Sequence, residues 1–204
     1  MKENVTQFKK ALILRAACKL FFERGYTATT IDAITEELSS SRRAIYDHFA
    51  GKAEILSEIC EQSVRFSIDL AERVAREPGD PSEKLRRLAR DFTMIVIENQ
   101  DYIAVSAREK HFLPVESQKR ILRMQERFDR ILRSILADGV SQGIFDIADP
   151  GIAALAIGGM IIWVHSWYRA GGRLSPQEIA DSLADTALRT AMSLRPRRAS
   201  RASS

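Results

Sequence analysis

The chain has 204 residues, 45 % hydrophobic and 28 % charged, a composition that fills an ordinary folded core and leaves room for one large or two small domains. Only two cysteines occur, Cys18 and Cys60, without metal-ligand spacing, which sets aside a disulfide framework and a metal cluster. The net charge of +4 is uneven: nine Lys/Arg face six Asp/Glu in 1–52, eighteen face twenty-one in 53–194, and 195–204 adds four arginines, a pattern suited to a nucleic-acid partner.

The opening MKENVTQFKK has no apolar core, and the longest apolar run, 152–164, falls short of the ~18 residues that read as a membrane span. A cytoplasmic protein with no membrane partner is expected. Residues 5–24 predict a first helix, with Ala11, Leu14, Cys18 and Phe21 at spacings of three and four and Ala17 and Phe22 widening the stripe. Gly25 is its natural stop, since glycine takes left-handed dihedrals cheaply. Ile31, Ile34 and Leu38 predict a short second helix, which Ser39-Ser40-Ser41 interrupts. The serine hydroxyl competes for nearby backbone groups, and Ser41 suits the N-cap of a third helix over 42–48. Two short helices joined by a tight turn, the second one basic, outline a helix-turn-helix. Arg42 and Arg43 stand in the first turn of the second, where positive charge opposes the helix dipole. Local stability does not explain them; a phosphate or a base edge does.

The run Gly25-Tyr26, Thr29-Thr30-Ile31, Ile34, Ser41, Tyr46-Asp47-His48-Phe49 and Lys52 resembles the DNA-binding domain of the TetR family of bacterial transcriptional repressors. It departs at Thr35, where the family usually has alanine, at Ser39-Ser40, which replaces Gly-Val, and at Arg43, a position usually small. The resemblance implies a head over 1–51 that binds double-stranded DNA, with Arg42 and Arg43 as base or groove contacts and Thr30, Ser41, Tyr46, His48 and Lys52 positioning phosphates. Lys52 opens the next helix, whose free N–H groups would share its phosphate.

Residues 52–76 predict a long helix through Ile55, Ile59, Phe66, Leu70 and Val74, ended by Glu77-Pro78-Gly79-Asp80. Asp80-Pro81 and Asp149-Pro150 each read as an N-cap followed by proline, and Ser175-Pro176-Gln177-Glu178 as a capping box. Between them lie a helix with Leu85, Leu88, Phe92 and Ile95, a shorter segment over 101–112, and a long amphipathic helix over 115–140. The stretch 152–168 is apolar almost all round, which predicts burial on most sides. The last helix, 175–193, carries a wide alanine-rich stripe that suits close packing. No strand alternation occurs, so the expectation is an all-α protein of about nine helices: a three-helix head over 1–51, a six-helix effector and dimerisation domain over 52–194 and a disordered basic tail over 195–204. By resemblance the last two helices pair with their copies in a homodimer on a palindromic operator, its recognition helices ~34–36 Å apart. An effector that shifts the 52–76 helix would then move the heads.

The three histidines, His48, His111 and His165, show no Glu-x-x-His or other metal spacing, and no phosphate-binding glycine loop or nucleophile motif is present. No enzyme, metal or cofactor is expected. Trp163 and Trp167, four apart with Met160 and Tyr168 alongside, read either as core or dimer packing or as a flat wall for an effector. The segment Trp167-Tyr168-Arg169 with Gly172-Arg173-Leu174-Ser175-Pro176 resembles the C-terminal signature of TetR-type regulators of fatty-acid, steroid and aromatic-acid degradation, which commonly answer to acyl-CoA thioesters. That resemblance implies an acyl chain or ring against Met160, Trp163 and Trp167, with the coenzyme phosphates near Arg108, Lys110 and Arg169. An uncharged apolar compound, as for efflux-pump repressors, is the alternative effector; a helical interaction module that does not bind DNA is the alternative function.

Overall fold

A computed structural model describes residues 2–192, so the basic tail expected over 195–204 lies outside the described residues. Among these the chain is all α-helix and turn, with no strand. The helices are α1 (Lys2–Arg24), α2 (Ile31–Glu37), α3 (Arg42–Tyr46), α4 (Lys52–Arg76), α5 (Pro81–Glu98), α6 (Gln100–Glu109), α7 (Val115–Ser141), α8 (Pro150–Ile162), α9 (Val164–Trp167) and α10 (Pro176–Met192), with a 3-10 turn at Lys110–Phe112.

The expected punctuation is where the helices stop and start. Gly25 sits at φ +84°, and its N–H donates to the Phe21 carbonyl at 3.0 Å. The Asp80 carboxylate accepts from the Ser82 and Glu83 amides at 2.7 and 3.0 Å, ahead of a buried Pro81. Asp149 does the same for Gly151 and Ile152. At α10 the capping box closes both ways: Ser175 Oγ accepts from the Glu178 amide at 3.2 Å, and Glu178 Oε2 accepts from the Ser175 amide at 2.8 Å. The α7 chain end folds back so closely that a Cβ on Gly139 would stand 2.1 Å from the Phe145 ring. Only glycine fits there.

The described residues fall into two compact units. The first holds the chain up to Phe66 together with Asn99–Met124. Its core includes Leu14, Ala17, Cys18, Phe21, Ile34, Ile45, Ile55 and Ile59. Here α1 packs against α2 and α6, and α2 against α3. The second unit holds Ser67–Glu98 and the described residues from Gln125 on, and in it α10 lies chiefly along α5. Ala180, Ala184, Ala187 and Ala191 are buried in that unit, so small side chains let the helices approach closely. A division at residue 52 does not describe these units. Helix α6 packs on α1, which draws 99–124 to the head, and α4 gives its residues up to Phe66 to the first unit and the rest to the second.

Three expectations are corrected. Ala11 and Phe22 are exposed rather than part of the α1 core face. The stretch expected as one helix over 152–168 breaks at Trp163 into α8 and α9. Nor is it buried on most sides: Ala153, Ala154, Ile157, Ile161 and Val164 face inward, while Ile152, Leu155 and Trp163 are 64 %, 59 % and 62 % exposed. Taken together, Pro150–Trp167 has a mean hydropathy of 1.4 over 18 residues with 28 % buried, enough by length and composition alone to cross a membrane. Apolar character all round therefore marks a surface that the described residues leave uncovered.

Candidate DNA interface and effector region

The helix-turn-helix is built by two serine/threonine caps. Thr30 Oγ1 accepts from the Ala33 amide at 3.1 Å and opens α2; Ser41 Oγ accepts from the Ala44 amide at 3.3 Å and opens α3. Between them Ser39 takes φ +48°, the left-handed turn conformation that glycine adopts at least cost. Ile34 and Ile45 are fully buried and tie both helices to the first unit's core. The outer surface is left to Thr30, Ser41, Arg42, Arg43 and Tyr46, all exposed, with His48 half-buried.

Two of the expected DNA contacts are already engaged. Arg42 is held in a two-pronged pair with Asp32, Nε on one carboxylate oxygen and Nη2 on the other. The guanidinium holds the Asp32 carboxyl below its ordinary range. Lys52 is no free surface cation: its ammonium donates to the Tyr26 and Thr29 carbonyls at 2.8 and 2.7 Å. It also stands over the Tyr26 ring, and burial pulls its pKa down. Thr29 is fully buried, and its hydroxyl reaches the Leu20 and Gly25 carbonyls. Lys52 and Thr29 thus pin the turn after α1, a role that the spacing of the motif does not reveal.

Arg108 also departs from expectation. Its Nη2 donates to the Phe21 and Phe22 carbonyls, and its Nε to the buried Glu109. A guanidinium there caps the negative end of α1, which favours it locally. It is not a free group at a pocket mouth. Nearby, Tyr26 lies between Phe21 and Phe112, with ring centres 5.3 and 5.0 Å away. Sequence reading missed Asp32, Tyr26 and the Arg108 cap, because Arg42, Lys52 and the end of α1, which they respectively meet, lie ten or more residues away in the chain.

The remaining effector candidates are divided between the two units. In the second unit Met160 is half-buried on α8, and Trp163 and Trp167 are exposed. Trp167, Tyr168, Arg169, Gly172, Arg173, Leu174 and Ile179 line an open recess of about 230 Å3, which Met160 and Trp163 do not join. Arg169 there donates to the Tyr168 carbonyl at 2.7 Å. Lys110 is exposed in the first unit.

Comparison with known proteins matches these two parts separately. Residues 13–59 match the sequence model of bacterial regulatory proteins of the tetR family, and residues 78–191 that of the Tetracyclin repressor-like C-terminal domain. The chain is similar to the TetR family regulator PfmR from Thermus thermophilus, at 33 % identity and TM-score 0.81 over 87 % of this chain and 97 % of that one. It is 25 % identical to the repressor KstR2 of Mycobacterium tuberculosis, covering 84 % of this chain and 86 % of that one. The fold is shared with AibR, solved in complex with isovaleryl coenzyme A and operator DNA, at TM-score 0.77 and 22 % identity over 87 % of this chain and 97 % of that one. With a capped helix-turn-helix inside one matched region and most of the remaining helices inside the other, the chain belongs to the TetR family of bacterial transcriptional regulators.

Proposed function

We propose that this regulator is a repressor that binds a palindromic operator as a homodimer and is released by a small-molecule effector, an acyl-CoA thioester. The observation that carries the DNA half is the surface of α2 and α3. Two helix caps, two arginines and Tyr46 are exposed together on elements whose apolar sides are buried. Arg43 is exposed with no protein partner among the described residues, and a guanidinium fork matches guanine O6/N7 or a phosphate. Thr30, Ser41, Tyr46 and His48 supply polar groups for phosphates, while Lys52 serves DNA indirectly by fixing the turn before α2. The dimer half rests on Ile152, Leu155 and Trp163, large apolar side chains that an unaccompanied chain would leave in water.

The thioester reading draws on two relatives, one solved with isovaleryl coenzyme A and one a ketosteroid transcriptional regulator. In this chain it has a half-exposed tryptophan beside Arg169 and Arg173 in the recess after α9. A competition gel-shift tests it on operator fragments recovered by selection. Release by micromolar acyl-CoA, with free acid and coenzyme A inactive, is the expected result. Quenching of Trp163 and Trp167 fluorescence should accompany it. Release by uncharged apolar compounds alone would replace the thioester with an efflux-type effector, and no salt-sensitive retention on any duplex would overturn the DNA reading.

A further inference from the structure

The surface of α2 and α3 carries acidic groups that an anion-binding surface does not need, and one of them is paired within the motif. Asp32 stands in the first turn of α2, half exposed, beside the exposed cap Thr30. A carboxylate among DNA phosphates costs affinity by like-charge repulsion. Its local helix-terminus benefit would be served equally by an aspartate with no partner. What it has instead is Arg42, reached across ten residues and gripped through Nε and Nη2 at once. Their side chains are 66 % and 49 % exposed, so solvent screens the pair and stability is a weak reason for it.

The atoms of the fork say what the pair does. A guanidinium has five N–H donors on two usable edges. Asp32 occupies the Nε/Nη2 edge, which leaves the Nη1/Nη2 edge with no protein partner among the described residues and its plane fixed by two bonds. A free arginine on a DNA surface would take the nearest phosphate, the strongest acceptor available. With Asp32 on one edge the charge is already neutralised, and the carboxylate repels a second anion. A neutral acceptor pair suffers neither penalty. The guanine edge, O6 beside N7, is such a pair.

We infer that Asp32 is a specificity-determining residue: by holding Arg42 in its fork it withdraws that arginine from the phosphates and presents it to guanine. This rests on the operator-binding reading above. Arg43, which has no such partner, is left as the arginine free to take either a base or a phosphate.

Selection of bound duplexes from a random library, with the full-length wild type and the D32N, R42K and R42A variants, tests this. Wild type is expected to enrich a motif with a guanine in each half-site whose preference falls about tenfold or more in all three variants. D32N should also bind random DNA more tightly than wild type, with a salt slope steeper by about one per chain, because the released Arg42 turns to a phosphate. R42K keeps the charge but lacks the fork, so it should lose the guanine while retaining random-DNA affinity; it is the decisive variant if D32N does not fold. A D32N selection identical to wild type, or an equal loss on every sequence, overturns the role of Asp32 while leaving operator binding intact. A wild type that enriches no motif overturns operator recognition itself, and this inference with it.

Discussion

The Lys52 ammonium stands 4.3 Å from the centre of the Tyr26 ring and donates to that residue's own carbonyl at 2.8 Å. A third contact, to the Thr29 carbonyl at 2.7 Å, makes one cation the tie between the first residue of α4 and the turn that precedes α2. Charged hydrogen bonds of this kind, partly exposed, are worth about 1–2 kcal/mol together with the ring contact. Lys52→Met is therefore expected to destabilise the fold by that amount in denaturant melts. The slope of log affinity against log salt should stay unchanged, because the Lys52 ammonium is already taken up by two carbonyls of its own chain. A slope reduced by about one with an unaltered stability would return Lys52 to the phosphate role that its place in the motif suggests.

Ser39 carries the strain of the helix-turn-helix. Its φ of +48° costs an L-residue about 1–2 kcal/mol, and the side chain is exposed. Glycine removes that cost but gives back part of it as extra freedom in the unfolded chain. Ser39→Gly should stabilise by about 0.5–1 kcal/mol in denaturant melts, while Ser39→Ala should be nearly neutral. A loss on going to glycine would mean that the serine hydroxyl holds the turn.

The two thiols give the protein an alkaline limit. Cys18 and Cys60 are fully buried, and burial raises both above the ordinary thiol value of 9.0, Cys60 to about 11. Burial likewise raises Tyr102 to about 12. In each case the folded chain keeps a proton that the unfolded chain gives up first. The stability is whole below pH 9.0, the unfolded thiol value, and is lost as pH rises towards the folded values. Between pH 9.0 and about 11 stability should fall steadily, by roughly 1 kcal/mol per pH unit for each thiol in the middle of that range. Urea melts at about pH 8, 9.5 and 10.5 measure this, and a C18A/C60A double variant should show the shallower dependence left by Tyr102. At neutral pH both thiols should resist alkylation until the chain unfolds.

Much of this molecule was legible in the sequence because its signals are local. Caps act within three residues, so Ser41, Asp80, Asp149 and Ser175 marked their helices correctly, while the Thr30 cap went unread. Apolar spacing placed α4, α5 and α7 for the same reason. Contacts that cross between helices were not legible: Asp32 with Arg42, Lys52 with Tyr26, and Arg108 with the end of α1. Basic residues in particular read as partners for phosphate when they were bound to carbonyls or carboxylates of their own chain. The α8 stretch misled in another way. Periodicity reports that a face is apolar, but not whether this chain covers it.

That uncovered face gives the last prediction. Ile152, Leu155 and Trp163 follow one another along α8 and its C-terminal end at spacings of three and eight, and no described part of this chain buries them. A Cβ on Gly158 or Gly159 would meet nothing within 4 Å, so the backbone between them is open to close approach. A second copy related by a two-fold axis covers such a face with the same face of its own. Leu155→Arg would then bring a guanidinium into the apolar contact from each subunit. Removing a charge from water without a partner costs several kcal/mol, enough to make the dimer weaker by about a hundredfold or more. Sedimentation at micromolar concentration should show wild type as dimer and L155R as folded monomer, with operator affinity falling in parallel. Leu122→Arg is the control: Leu122 is 54 % exposed on α7, and the same change there should leave assembly untouched. Monomeric wild type that pellets with lipid vesicles would assign the α8 face to a membrane instead. A dimer that survives L155R would place the subunit contact elsewhere on the chain.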